Sequence, residues 1–239
     1  MKKNPEISLI IACYNEGRGF ENNVETVLNV LEKLKKSYEV IFVDDKSRDN
    51  TIQNIKKIKN KYKNINIKTI FHPQNTGRGK TVTDGVLASS GKVIGFLDID
   101  LEVPAHYIGV FVNSIENGVD ISIGSRIYEF QPKSLVRWFA SKGYVYLIKK
   151  LLKLPFRDTE AGYKFFNREK ILPVLGECRD PGWFWDTEII ARSNKRGLKI
   201  IEIPVVFIRD YNKNSTVRVF SDSIDYMKKL IKYRKELVK

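Results

Sequence analysis

The first half of the chain alternates short apolar runs with longer segments of helical periodicity. Residues 7–13 form a mostly apolar, isoleucine-rich run, which is typical of a strand buried on both faces. Apolar residues recur at helical spacing over residues 20–34, and this spacing predicts an amphipathic helix. Residues 40–43 and 65–71 predict two further strands, each followed by a helical pattern. The chain thus begins as successive units of strand, loop and helix.

A fourth apolar run, residues 93–97, ends in acidic residues at alternate positions, which are Asp98, Asp100 and Glu102. If strand geometry persists through them, alternate side chains point to one side, and the three carboxylates converge. Mg²⁺ and Mn²⁺ take one or two protein carboxylates together with water and substrate phosphates, so this pattern suits a metal and a nucleoside diphosphate. The alternative is a strand followed by a solvated acidic loop.

The alternation continues with a predicted helix over residues 105–116 and a short strand over residues 120–126, which we expect to deliver Arg126 to a loop. Four alternations with short connections predict an α/β fold with a parallel, doubly wound sheet flanked by helices. Such sheets bind ligands at the carboxyl ends of their strands. Asp44 and Asp45 directly follow the second strand, so they are predicted to lie at that edge.

The residues after the second strand also have a purely structural interpretation. Ser47 and Asp49 are N-cap candidates for the helix that follows them. Asp44 and Asp45 could likewise do no more than cap that helix.

The second half of the chain carries helical patterns that are both aromatic and basic. Residues 134–153 predict a helix that could lie on a membrane surface or pack with its lysines snorkelling. Residues 200–207, with Pro204 among them, predict a strand at a sheet edge. The C-terminal helix either docks with a solvated basic face or is attracted to anionic headgroups. Its predicted apolar face consists of Phe220, Ile224, Met227, Leu230 and Leu237.

The formal net charge of +14 indicates a polyanionic partner, which could be nucleic acid, an anionic membrane surface or a phosphorylated substrate. Nucleic acid ranks last, because no binding module is recognisable and the carboxylates at the strand ends would repel it. Cys13 and Cys178 follow no disulfide or metal spacing, and His72 and His106 have no partner pattern that suggests metal binding or catalysis.

No apolar run has the length of a signal peptide or a membrane span, so we expect a cytoplasmic protein. No shift in composition marks a second domain, and we expect a single domain over residues 1–239.

Four motifs follow one another at the predicted strand ends: Tyr14-Asn15-Glu16, residues 43–51, Asn75 with a glycine-rich turn, and Leu97-Asp98-Ile99-Asp100. This order resembles the family 2 nucleotide-sugar glycosyltransferases, which have the GT-A fold. In that family the first two loops hold the nucleoside, and the Asp-x-Asp carries the metal that bridges the two phosphates. The resemblance implies a Mg²⁺ or Mn²⁺ cofactor and a mostly parallel GT-A sheet.

The second half resembles the dolichyl-phosphate mannose and dolichyl-phosphate glucose synthase branch of that family. The resemblance rests on Gly124-Ser125-Arg126 and on residues 157–166, 185–188 and 202–207. Enzymes of this branch move one sugar from a nucleotide donor to a polyprenyl phosphate.

Three positions depart from the branch pattern. Glu102 replaces a common Gln, Tyr163-Lys164 is a mild change, and a Gly-x-Ser-Lys segment near the end is absent. The phosphate contact could therefore be Lys213, Arg218 or Arg209.

The resemblance implies a set of site residues. The expected catalytic residues are Asp98, Asp100, Arg126 and Asp186, and the expected metal ligands are Asp98, Asp100 and Glu102. Nucleotide-sugar binding is expected at Ala12, Tyr14, Glu16, Asp44, Asp45, Gly77, Lys80, Asp98, Arg126 and Arg209. Lys164 is a weaker candidate for binding phosphate, and Glu188 shares with Asp186 the place of an acidic base.

The function implied is transfer of one sugar, with inversion, from GDP-mannose or UDP-glucose to a dolichyl or undecaprenyl phosphate. The enzyme would lie peripherally at the cytoplasmic face of the membrane, on anionic lipid, with an integral membrane protein as a further candidate partner. Residues 1–126 would bind the nucleotide sugar and residues 127–239, with basic amphipathic helices, the acceptor. One alternative is transfer to a glycan hydroxyl in cell-surface polysaccharide synthesis, and a remote one is a basic nucleic-acid-binding protein.

Overall fold

The computed structural model describes residues 4–17, 19–128, 150–209 and 219–238. Seven strands form one sheet: β1 (Ile7–Cys13), β2 (Tyr38–Asp44), β3 (Asn66–Phe71), β4 (Val93–Leu97), β5 (Ile121–Tyr128), β6 (Tyr163–Asn167) and β7 (Ile200–Phe207). The helices are α1 (Phe20–Lys33), α2 (Thr51–Lys61), α3 (Arg78–Ala88), α4 (Ile108–Glu116), α5 (Arg168–Leu175), α6 (Trp185–Lys195) and α7 (Val219–Val238). A short 3₁₀ turn, Ala105–Tyr107, precedes α4.

The sheet is mixed and mostly parallel, with the strand order β3-β2-β1-β4-β6-β5-β7. β1 pairs in parallel with β2 and β4, β2 with β3, and β5 with β7. The expected mostly parallel sheet flanked by helices is therefore confirmed.

The parallel pairing is interrupted at one strand. β6 lies antiparallel to both β4 and β5. This strand was not among the predicted ones, because Lys164 and Asn167 interrupt its five residues and hide its apolar character. The edge position predicted for residues 200–207 is confirmed, because β7 ends the sheet.

Two apolar cores cover the two faces of the sheet. Alternate residues of a strand point to opposite faces, so Leu9 lies in one core and Ile10 in the other. Residues of α1, α2 and α4 pack on the first face, and residues of α3, α5, α6 and α7 pack on the second. The sheet is therefore buried on both sides, as its apolar strands predict.

The N-cap of the helix after β2 lies further along the chain than the two predicted N-cap residues. α2 starts at Thr51, and its N-cap is Asn50, whose own side chain makes no capping hydrogen bond. Neither Ser47 nor Asp49 is the N-cap residue itself, although Asp49 Oδ1 accepts from the amide of Thr51, the first residue of α2, at 3.0 Å. Both side chains also accept hydrogen bonds from the loop after β1. Ser47 Oγ lies 2.9 Å from the Asn15 amide nitrogen, and Asp49 Oδ2 lies 3.0 Å from that of Gly17.

The packed face of α7 includes the predicted Met227 and Leu230 but not Ile224. Ile224 is 59% exposed, whereas Tyr226, Leu230 and Tyr233 are buried. Both tyrosines pack edge-on against Phe184, with ring centroids 5.2 and 5.7 Å away. Neither tyrosine was among the predicted packing residues. The side chains of Phe220 and Leu237 lie outside the part of the helix that the structure describes.

The aromatic and basic helix predicted over residues 134–153 lies mostly outside the described residues, which resume at 150. Among the helices that are described, none combines the length and the apolar character needed to cross a membrane.

We expect Gly95→Ala to destabilise the fold, because β6 passes too close to β4 for a side chain there. Gly95 is the register partner of Phe165, and a Cβ atom at Gly95 would lie 2.3 Å from Phe165 Cε1. Phe165 is fully buried and cannot move aside. Denaturant unfolding should show a loss of about 1–3 kcal/mol.

Gly176→Ala is the matched control, because Gly176 has φ −62° and its Cβ would come no closer than 3.7 Å to Pro173 O. It should change the free energy of unfolding by less than about 0.5 kcal/mol. Equal stability of the Gly95→Ala variant and the wild type would contradict this close packing.

Candidate active site

Three parallel strands, β1, β2 and β4, deliver their following loops to one edge of the sheet. Cys13 at the end of β1 is in register with Asp44 at the end of β2, and the Asp45 amide donates to Cys13 O at 2.9 Å. Asp98 directly follows β4. The predicted strand-end motifs therefore meet at the same edge, as parallel pairing requires.

The loops after β1 and β2 hold each other by hydrogen bonds. Arg48 donates its amide to Asn15 Oδ1 at 2.7 Å, and the Glu16 amide donates to Thr51 Oγ1 at 2.9 Å. Asn15 has φ 55°, which turns the chain sharply after β1. Tyr14 is 37% exposed on the outer side of this turn. Tyr14 and Glu16 thus lie in a loop whose shape is set by the second motif.

Asp44 is fully buried, and only one of its carboxylate oxygens is satisfied. Oδ2 accepts from the Ser47 amide at 3.0 Å. Oδ1 is buried without a hydrogen-bond partner among the residues that the structure describes. A buried carboxylate oxygen left in that state costs free energy. Asp44 is therefore the acidic residue at this edge that most needs a donor from outside the chain.

Asp45 builds the glycine-rich turn rather than pointing away from it. Its carboxylate accepts from the Thr76 amide at 2.7 Å and from the Gly77 amide at 2.8 Å. Burial by itself raises the pKa of Asp45, but hydrogen bonds from His72, Thr76 and Gly77 outweigh burial and lower it. Asp45 is therefore an ionised anchor for the turn.

His72 is a member of the site that the sequence analysis missed. Its Nδ1 lies 2.8 Å from Asp45 Oδ1 and its Nε2 lies 3.0 Å from Asp84 Oδ2. Because these partners are 27 and 12 residues away in the chain, no local pattern signals the contact. His72 links the end of β2 to the side of α3.

The second half of the chain closes over the glycine-rich turn. The Lys80 amide donates to Pro181 O at 3.0 Å, and a Cβ at Gly77 would lie 2.5 Å from that same oxygen. Gly77 also has φ 96°, so the position requires glycine on both counts. The Lys80 side chain, in contrast, forms an ion pair with Asp84 on the outer side of α3.

The predicted convergence of Asp98, Asp100 and Glu102 by strand alternation is wrong. β4 ends at Leu97, and Leu101 has φ 56°, so the backbone turns before the third carboxylate. Among the described residues, no three His, Cys, Asp or Glu side chains are grouped as a metal site requires.

Two carboxylates of the Asp-x-Asp still suit a divalent metal. Asp98 and Asp100 are partly exposed on either side of the buried Ile99. Mg²⁺ is commonly held by one or two carboxylates, with water and substrate phosphates as the other ligands. The donor set at Asp98 and Asp100 therefore fits the implied metal, without requiring Glu102.

Arg78, the first residue of α3, joins this loop to the second half of the chain. Its NH1 lies 2.6 Å from Asp98 Oδ1 and its Nε lies 3.2 Å from Asp186 Oδ2. Lys164 pairs with the other oxygen of Asp186 and is fully buried, and this burial lowers its pKa. The sequence analysis named the neighbours of Arg78 in the turn but not Arg78 itself.

Asp186 and Lys164 therefore form a buried ion pair. Asp186 is 1% exposed at the start of α6 and is held between two cations. Glu188 is equally committed, since it accepts from the amides of Arg179 and Asp180 at 3.0 and 2.9 Å. Neither acid lies open to an acceptor, and Lys164 has no free face for a phosphate.

Arg126 lies within β5, not in the loop that we expected. Its Nε and NH2 donate to the two oxygens of Asp158 at 2.6 and 2.8 Å. Its guanidinium lies 5.7 Å from the ring centroids of both Tyr128 and Phe207. Burial opposes ionisation of Asp158, but Arg126 outweighs it and lowers the pKa of that carboxyl. Arg209 follows β7 closely enough for its charge to affect Tyr128.

Glu160, in the turn before β6, is a second residue that the analysis did not single out. Burial raises its pKa to about 7, against the attraction of Arg126 and with the repulsion of Asp158 and Asp186. The Glu160 carboxyl therefore changes from protonated to ionised near neutral pH.

Residues 8–172 match the family model of glycosyl transferase family 2, so the chain belongs to that family. The dolichyl-phosphate beta-glucosyltransferase of Dictyostelium discoideum is 28% identical over 250 residues, covering 97% of this chain and 76% of that protein. Glycosyltransferase AglD of Haloferax volcanii is 27% identical over 208 residues. This match covers 84% of this chain but only 32% of the length of AglD.

The fold is similar to that of a solved enzyme. Glucosyl-3-phosphoglycerate synthase from Mycobacterium tuberculosis, in complex with Mn²⁺, UDP and glucosyl-3-phosphoglycerate, superposes with a TM-score of 0.70 at 16% identity. The match covers 96% of this chain and 80% of that one. The expected GT-A-like fold is thereby confirmed, and the match to the family model confirms the expected glycosyltransferase class.

We expect the raised pKa of Glu160 to make stability fall as pH rises. The unfolded chain loses this proton near pH 4.5, whereas the folded protein keeps it to about pH 7. The stability contribution of Glu160 therefore decreases between these values and stays low above them.

Glu160→Gln cannot ionise, so its melting temperature relative to wild type should climb across that window. Above pH 7 the variant should melt about 2 °C or more higher. Thermal unfolding of both proteins at a series of pH values measures this, and a difference that does not vary with pH would contradict it.

Proposed function

We propose that this chain transfers one sugar from a nucleotide sugar to a polyprenyl phosphate, with inversion, at the surface of a membrane. UDP-glucose is the first donor to test, because the relative from Dictyostelium discoideum is named a glucosyltransferase. GDP-mannose is the second, from the resemblance to the mannose synthases. The observation that carries the proposal is the meeting of Asp44, the glycine-rich turn and the Asp-x-Asp at one sheet edge.

The nucleoside is proposed to bind between the loops after β1 and β2. Asp44 Oδ1, buried and without a partner among the described residues, can accept a hydrogen bond from a ribose hydroxyl or a base. Tyr14, with Ala12 before it and Glu16 after it, borders the same loop. Asp45 and Gly77 contribute by shaping the turn that closes this edge.

Asp98 and Asp100 are proposed to hold Mg²⁺ or Mn²⁺ against the donor diphosphate. A metal there neutralises the charge that develops on the leaving nucleoside diphosphate. Arg126, within β5, and Arg209, just after β7, are proposed to lie on the acceptor side. Since Arg126 is already paired with Asp158, its role is that of a shared cation rather than a free one.

A phosphate acceptor is favoured by the state of the acidic residues. A phosphate is anionic at neutral pH and can attack the anomeric carbon in line without a strong base, whereas a sugar hydroxyl needs one. Asp186 occupies the expected place of a base but is buried between Arg78 and Lys164. This observation supports polyprenyl phosphate over a glycan hydroxyl.

Attachment to an anionic membrane is supported by the outer face of α7. Ile224 and Ile231 are 59% and 45% exposed, and Lys228, Lys232 and Lys235 are exposed along the same side of the helix. Apolar and basic residues in this arrangement suit the interface of an anionic bilayer. The net charge of +14 acts in the same direction.

We expect the donor to stabilise the protein only when a divalent metal is present. With UDP-glucose or GDP-mannose far above its dissociation constant, Mn²⁺ should raise the melting temperature by several degrees. Asp98→Asn should lose this metal-dependent part, because it removes a carboxylate ligand. Glu25→Gln should keep the metal-dependent stabilisation, because Glu25 lies on α1 and pairs with Lys61 of α2. The proposal would be contradicted if no nucleotide sugar gave a metal-dependent shift in melting temperature.

The acceptor is tested by turnover on liposomes that contain polyprenyl phosphate and anionic lipid. We expect sugar to appear on the lipid phosphate, and Glu160→Gln to retain this activity within about tenfold, because no base is needed. Glu160, with its pKa near 7, is the candidate base for the alternative hydroxyl acceptor. Transfer to a glycan hydroxyl that Glu160→Gln abolishes, without transfer to lipid phosphate, would favour that alternative.

A further inference from the structure

Arg78 is the residue that contacts both the Asp-x-Asp loop and the buried acid of α6. Its two contacts use different edges of the guanidinium, with NH1 on Asp98 and Nε on Asp186. A guanidinium carries five N–H donors in a rigid fork, so one edge can be released while the other stays bound. This division of contacts allows Arg78 to exchange a partner without leaving the site.

The two contacts differ in how strongly they are held. The Asp186 side chain is 2% exposed, whereas that of Asp98 is 42% exposed. Ion pairs that face solvent are weak, while breaking a buried pair leaves an uncompensated charge. Asp98 is therefore the partner that Arg78 can give up.

The surroundings keep the guanidinium at the sheet edge whichever partner it holds. Its centre lies 5.3 Å from the Trp183 ring centroid and 5.7 Å from that of Phe96. The backbone of Gly162 presses against the pair, because a Cβ there would meet Asp98 Oδ2 at 1.9 Å and Arg78 NH2 at 2.6 Å. The arginine thus has little freedom except at its Asp98 edge.

We infer that Arg78 is a placeholder for the divalent metal: it neutralises Asp98 when no metal is bound and passes to the donor diphosphate when the metal takes Asp98. This inference rests on the proposed metal site at Asp98. The guanidinium and the metal compete for Asp98, since both are cations that bind its carboxylate oxygens. Once released, NH1 remains beside that site and can donate to a phosphate oxygen, a charge-assisted hydrogen bond that Arg makes well.

Mn²⁺ binding without donor tests the competition directly. Electron paramagnetic resonance of free Mn²⁺ gives its dissociation constant for wild type and for Arg78→Gln. We expect the variant to bind Mn²⁺ about threefold more tightly or better, as loss of a weak competing ion pair allows. With Mn²⁺ saturating, the same variant should bind UDP about tenfold more weakly. A merely loosened site would weaken both.

Lys229→Gln is the matched control for long-range charge effects. It also removes one positive charge, beside the segment that contacts the glycine-rich turn, but Lys229 pairs with Asp180 and Asp225 and not with Asp98. Its Mn²⁺ affinity should stay within about twofold of wild type at physiological salt, where more distant charges are screened. Equal tightening in both variants would mean general electrostatics and would overturn the inference.

A second measurement uses the wild-type chain, in case Arg78→Gln does not fold. The Nε–Hε resonance of Arg78, assigned with Arg78→Lys, should shift as the diamagnetic ion Mg²⁺ is added, and should saturate with Mg²⁺ binding. Mg²⁺ binding that leaves this resonance in place would overturn the inference. If wild type binds metal but Arg78→Gln binds it no more tightly, only this inference fails. If wild type binds neither Mn²⁺ nor Mg²⁺, the proposed metal site fails as well.

Discussion

The candidate site depends on the ion pairs that the buried Asp186 carboxylate forms with Arg78 and Lys164. This carboxylate connects the start of α3, the strand β6 and the start of α6, which are far apart in the chain. Removal of either cation would leave a buried charge poorly compensated, at a cost of several kcal/mol, on the order of 3–5 for a broken buried pair. Because Arg78 also contacts Asp98, the same carboxylate positions the residues of the proposed donor site against the second half of the chain.

This arrangement explains how the charges at the sheet edge are divided. Lys164 forms an ion pair with Asp186, and Arg126 forms one with Asp158. In the Asp-x-Asp loop, Asp98 pairs with Arg78, and the Asp98 side chain remains 42% exposed. A chain of high net positive charge thus keeps a locally acidic edge, which is where a metal and a diphosphate can enter together.

Much of the fold could be predicted from the sequence, because buried strands have apolar runs and helices have periodic ones. The β1 strand and the meeting of the loops at one edge follow from such local patterns. The antiparallel β6 could not be predicted in this way. Nor could the contact between Arg78 and Asp186, which spans 108 residues, or the Asp45–His72 pair, which spans 27. The predicted convergence of three carboxylates failed for a local reason, the left-handed Leu101.

The most direct test of the central claim is a crystal structure with Mn²⁺ and a nucleoside diphosphate, with the manganese located by anomalous scattering. We expect one manganese peak, coordinated by the carboxylates of Asp98 and Asp100 and by phosphate oxygens. The Arg78 guanidinium should no longer contact Asp98 and should still contact Asp186. A manganese bound away from the Asp-x-Asp, or a nucleotide bound away from the loops after β1 and β2, would contradict it.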